Sequence, residues 1–138
     1  MEAHHPNPVR QGTKMKWVYV AAPYTLPDPV ENTNKAIKAA DELIRHGFFP
    51  IIPHLTLLWH IVSPRPEQFW YDYTMGLMGR CDIVLRLPGH SKGGDQETEA
   101  ATANGQPVYH SLEELLGCEQ GDLDGISLAG SDLQPQEG

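Results

Sequence analysis

The sequence predicts one α/β domain, a small doubly wound parallel sheet of four or five strands with helices on both faces. Short β-branched or aromatic runs alternate along the chain with stretches whose apolar residues recur at helical spacing. The runs WVYVA and IVLRL are also apolar at successive positions, apart from Arg86. Strands of a parallel sheet read this way because their helical crossovers cover both faces.

Taken in order, KWVYVA (16–21) reads as the first strand. VENTNKAIKAADELIRH (30–46) sets Ala36, Ile37, Ala40, Leu43 and Ile44 on one helical stripe and stops at Gly47, a residue that accepts the positive φ of a helix end. FFPII (48–52) is a second strand. PEQFWYDYTMGLMGRC (66–81) carries Phe69, Trp70, Tyr73, Leu77 and Cys81 at helical spacing, ahead of the strand DIVLRL (82–87). Asp95 to Asn104 reads as a helix closed by Gly105, and PVYH (107–110) as a further strand. SLEELLG follows as a short helix, with Ser111 and Glu114 at capping-box spacing. Segments 22–29 and 60–66 show neither period, are rich in proline and read as lids. In such a flavodoxin- or Rossmann-like sheet, ligands bind beyond the carboxyl ends of the strands. That rule selects AAPYTLPDP (21–29), PHLTLLWH (53–60) and PGHSKGGDQE (88–97).

A chain of 138 residues with 40% apolar content suits a single domain, expected at 15–117 between disordered tails at 1–14 and 118–138. The net charge of −8 divides as +1, −4 and −5 over those three segments, which disfavours a nucleic-acid polymer as partner. A small phosphorylated ligand stays compatible, because local N–H groups outweigh a modest overall charge. No apolar run approaches a membrane span and the N-terminus lacks the apolar core of a secretory signal, so a cytoplasmic protein without membrane contact is expected. Cys81 and Cys118 form no metal-binding spacing, and His54 and His60 do not share a helical face. Neither a metal nor a cofactor is expected.

The stretch SKGGDQETEA (91–100) carries the chemistry. Ser91, Gly93 and Gly94 could cradle a phosphate: glycine removes Cβ bulk, and the N–H groups of the following helix point at the oxygens. The bland alternative is a tight connection with Asp95 as N-cap. Glu97, placed in the first turn, is expected to be held ionised by the helix macrodipole, which suits a nucleophile or a stabiliser of an oxocarbenium-like carbon. Trp70 is expected in the core, whereas Tyr24 and Trp59, in loops at the carboxyl edge, are candidates to stack on a base. His54 and His90 are candidate proton donors, His90 reading more readily as a solvated group.

YVAAPYT (19–25), together with SKGGDQETEAATANGQPV (91–108), resembles the nucleoside 2-deoxyribosyltransferase superfamily, in particular its small members with a PY loop. Ser91, Gly93, Glu97, Ala101, Gly105 and Pro107 stand at the spacing of that family's motif. The resemblance implies cleavage of an N-glycosidic bond in a nucleoside or nucleotide, with Glu97 as nucleophile and Tyr19 orienting it. It implies that Ser91 and Gly93 hold the 5′-hydroxyl or 5′-phosphate beside the loop of Pro23 and Tyr24, and that the protein is a homodimer or homotetramer. At one position the chain departs from the pattern: Thr74 stands where the family commonly has an aspartate that assists the base, and Asp72 falls on nearly the opposite side of the helix. The general acid is therefore unassigned. A Rossmann-like phosphoribohydrolase fits PGHSKGG less well. A nucleotide-binding module that has lost its chemistry is the alternative that Thr74 favours.

Overall fold

The computed structural model describes residues 15–124; the expected N-terminal tail and residues 125–138 lie outside the described residues. The elements are β1 (Trp17–Ala21), α1 (Pro29–Arg45), β2 (Phe49–Ile51), a 3-10 turn (Pro53–Leu55), α2 (Thr56–Val62), α3 (Glu67–Gly79), β3 (Ile83–Arg86), α4 (Lys92–Ala103), β4 (Val108–Tyr109) and α5 (Leu112–Cys118). All strand pairs are parallel, and the order across the sheet is β2-β1-β3-β4. This is the doubly wound α/β fold, at the lower of the two expected strand counts.

Side-chain alternation divides the core between two layers. Val18 and Val20 of β1, with Ile83 and Leu85 of β3, pack against Ala36 and Leu43 of α1 and Leu115 of α5. Tyr19 and Ala21, with Val84, face Met78 of α3 and Ala101 of α4 on the other side. Tyr19 is fully buried and sits opposite Val84 in register, so its ring runs under α3 and α4.

The helix ends follow local chemistry. Asp28 caps α1 by accepting from the Glu31 N–H, with Pro29 in the first turn where a missing N–H costs nothing. Gly47 closes α1 at φ 87°, and a Cβ there would fall 2.7 Å from the backbone of Asp122. Ser111 accepts from the Glu114 N–H, and Glu114 in turn accepts from the N–H of His110.

Several expectations need correction. TLLWHIV was expected as loop running into a lid, and it forms α2. None of its residues is buried, so there is no buried stripe to betray the helix by its period. Helix α4 begins at Lys92 and not at Asp95, because Ser91 caps it and the tertiary contacts of Gly94 outweigh glycine's poor helix propensity. Ile37 is exposed, and Trp70 is half-buried in an aromatic group and not in the core. Glu119 and Asp122, placed by sequence in the C-terminal tail, are bonded to the body: Glu119 accepts from Lys16 and Tyr109, and the Asp122 N–H donates to the Gly47 carbonyl.

Candidate active site

Tyr19 and Glu97 meet across the sheet–helix interface. Tyr19 points toward α4 by strand alternation; Gly94, Glu97 and Ala101 share one face of α4 at helical spacing, and their small neighbours let Glu97 approach the sheet. The Tyr19 hydroxyl donates to Glu97 Oε2 at 2.6 Å. Thr74 of α3 lies beside the same hydroxyl, and its influence lowers the Tyr19 pKa against the larger upward push of burial. The single proton of the Thr74 hydroxyl is shared between the carbonyls of Trp70, at 2.9 Å, and Tyr71.

Glu97 lies in the second turn of α4, beyond the short range of the helix-terminus field, which overturns the expectation that the macrodipole holds it ionised. Burial pushes its pKa up instead, opposed by the Tyr19 hydrogen bond and by the charge of Arg86. Burial and the adjacent carboxylate in turn push the Tyr19 hydroxyl far above the ordinary phenol value, so it remains a donor.

Arg86, read from sequence only as an interruption in an apolar strand, organises the loop that follows. It is 7% exposed and donates to the carbonyls of Leu87 and Gly89 and to Asp95 Oδ1 at 3.2 Å. A Cβ on Gly94 would lie 2.9 Å from its guanidinium carbon. Gly94 is therefore buried against Arg86, a role different from the expected phosphate cradle. The lone charge in a covered strand was the available signal, since such a residue has to be paired.

Ser91 Oγ accepts from the Gly94 N–H at 2.9 Å, so Ser91 and not Asp95 is the N-cap, and its hydroxyl proton stays available to a ligand. Gly93 is exposed, and a Cβ there would meet nothing within 4 Å.

Pro23, Tyr24 and His54 form a second group at the carboxyl edge. His54 is 4% exposed, its Nε2 lies 2.9 Å from the Pro23 carbonyl, and its ring packs edge-on to Tyr24 at 5.5 Å. A carbonyl accepts only, so Nε2 carries the proton and Nδ1 is left buried without a partner. Burial lowers the His54 pKa, which keeps the ring neutral and makes it a poor proton donor, contrary to expectation. Trp59 belongs to another cluster, packed against Trp70 and Tyr73, with the Arg65 guanidinium 5.5 Å from its ring centre. His90 is exposed.

Among the described residues no helix is long and apolar enough to cross a membrane, and no cluster of His, Cys, Asp and Glu is arranged to hold a metal.

The parallel sheet with helices on both faces makes the molecule a doubly wound α/β protein, with the half-buried carboxylate of Glu97 held by the buried Tyr19 at its centre. Within that class, the chain belongs to the family described as a domain of unknown function (DUF7768), whose model matches residues 16–111. No curated protein matches the chain significantly. Among solved structures it is similar to a 2-deoxyribosyltransferase from the psychrotolerant bacterium Bacillus psychrosaccharolyticus, at 20% identity over 67% of this chain and 69% of that one, with a TM-score of 0.48.

Proposed function

We propose that the protein cleaves the N-glycosidic bond of a nucleoside 5′-monophosphate or nucleoside, with Glu97 as nucleophile. The observation that carries this reading is the hydrogen bond between the buried Tyr19 and the half-buried Glu97, 2.6 Å long, on the helix that carries the exposed Gly93 in its first turn. The Glu97 carboxylate attacks the anomeric carbon as the C–N bond breaks, and the base leaves with the bonding pair. Water then attacks the same carbon, the sugar–Glu97 bond breaks, the carboxylate is restored and the proton lost by the water passes to the departed base; a second base in place of water gives transfer. Tyr19 fixes the carboxylate by its hydrogen bond. The Ser91 hydroxyl and the N–H of Gly93 face a 5′-phosphate.

Exposed apolar residues of α2, among them Leu58, Ile61 and Val62, support a homo-oligomer that covers this helix, at 63% exposure or more each.

A second reading, a module that binds a nucleotide without cleaving it, draws on Thr74. Its proton is given to the carbonyls of Trp70 and Tyr71, which leaves none for a departing base. Incubation with ribo- and 2-deoxyribonucleoside 5′-monophosphates, following free base, decides between the two. Release by wild type and not by Glu97→Gln supports the glycosidase. Calorimetric binding of one nucleotide without release, undiminished in Glu97→Gln, supports the binding module.

A further inference from the structure

A cleft of about 610 Å³ opens on the opposite side of the sheet from Glu97. Its floor is Ala22, Ala39 and Leu87, of which Ala39 and Leu87 pack on the core beneath α1, and Leu26 and Pro27 form a wall. Glu97 and Tyr19 belong to the other layer. Pro23, expected to bind substrate beside Glu97, lines this cleft instead.

The walls are held in place. Asn32, 5% exposed, donates through Nδ2 to the carbonyls of Tyr24 and Leu26 at 3.0 and 2.9 Å, which fixes the proline-rich loop over α1. Gly89, at φ 120°, lies so close to Pro23 that a Cβ there would fall 2.6 Å from the proline ring. The two loops therefore touch, and the cleft beneath them is formed without a ligand. Pre-formed, mostly apolar concavities with a few polar groups are the usual form of small-molecule sites.

The charge in the cleft runs against that of the chain. The whole sequence carries −8, yet no carboxylate lines this cleft; its charged group is Lys35, and His90 stands on the rim. Among the described residues Lys35 makes no hydrogen bond or ion pair. A long ammonium side chain beside an apolar floor suits one ligand chemistry, an anion carried on an apolar body.

We propose that this cleft is a ligand site separate from the Tyr19–Glu97 pair, and that it takes a small organic anion with an apolar body. The body lies on Ala39 and Leu87, and the anion on Lys35. The site stands whether or not Glu97 performs chemistry.

The test is a titration of the full chain, followed by backbone amide NMR, with phenyl phosphate, benzyl alcohol and inorganic phosphate as separate probes. Phenyl phosphate should shift the amides of Ala22, Ala39 and Gly89 saturably, and bind at least about tenfold tighter than either of the other two. Lys35→Met should remove that preference, Lys35→Arg should keep it, and Ala39→Phe should block the probe. Glu97→Gln should leave the titration unchanged, so failure of the glycosidase does not disturb this result. Equal binding of benzyl alcohol or of inorganic phosphate overturns the proposal, as does indifference to Lys35→Met. Shifts confined to Ser91 and Gly93 would assign the anion to the α4 loop and overturn it equally.

Discussion

The hydroxyl of Tyr19, in the first strand, donates to the carboxylate of Glu97, in helix α4, at 2.6 Å across 78 positions of sequence. This bond lowers the Glu97 pKa against the upward push of burial. Tyr19→Phe should therefore raise that pKa further and move the acid limb of the pH–rate profile upward. A hydrogen bond to a charged group contributes about 1.5–3 kcal/mol, so the rate should fall roughly 10- to 100-fold at neutral pH. Initial rates across pH for both proteins provide the check, and an unmoved limb would show that Glu97 does not govern it.

Glu97→Gln should make the protein more stable at neutral pH. A carboxyl whose folded pKa is raised binds protons more tightly in the folded state, so its destabilising effect grows as pH climbs from the unfolded value through the folded one. The amide removes that effect and can still accept from Tyr19. Thermal melts of both proteins at pH 4 and pH 7.5 should separate at the higher value and converge at the lower.

Adjacent glycines should respond with opposite sign. Gly93→Ala has open space and adds a better helix former, a gain of up to about 1 kcal/mol. Gly94→Ala pushes a methyl against the buried Arg86 guanidinium and should cost about 1–3 kcal/mol. Denaturant unfolding measures both. If Gly93 borders the ligand, its alanine variant should also bind nucleotide more weakly while folding better.

His54 should contribute acid lability. Its folded pKa is lowered by burial, so the unfolded chain binds the extra proton first, and stability should fall as pH drops below about 6.5 toward the folded value. His54→Gln should flatten that part of the curve, read as the difference between the two melting profiles at pH 7.5 and 5.5.

The exposed face of α2 should carry self-association. Val62 is 76% exposed and Leu58 69%. Placing glutamate at both positions should halve the mass measured by light scattering with little change in the melting of the monomer fold.

Much of the architecture was legible because it is written in local pattern. The apolar strands β1 and β3, the stripe of Ala36, Ala40 and Leu43, and the Ser111 cap each follow from short-range propensity or from a period, and together they determined a parallel α/β sheet. The motif around Ser91 and Glu97 lies where its place in the alternation put it, directly after β3. What only the tertiary structure decided are relations between distant residues. Glu97 faces Tyr19 and Arg86, so burial and not the helix terminus sets its proton affinity. Gly94 is small because Arg86 lies against it. His54 is neutral because burial lowers its pKa, against the opposing effect of its hydrogen bond to the Pro23 carbonyl. Helix α2 escaped notice because its apolar side chains face outward, leaving no buried stripe to mark its period. Periodicity reports which face a segment buries, whereas the charge state of a buried group depends on neighbours that the chain supplies from elsewhere.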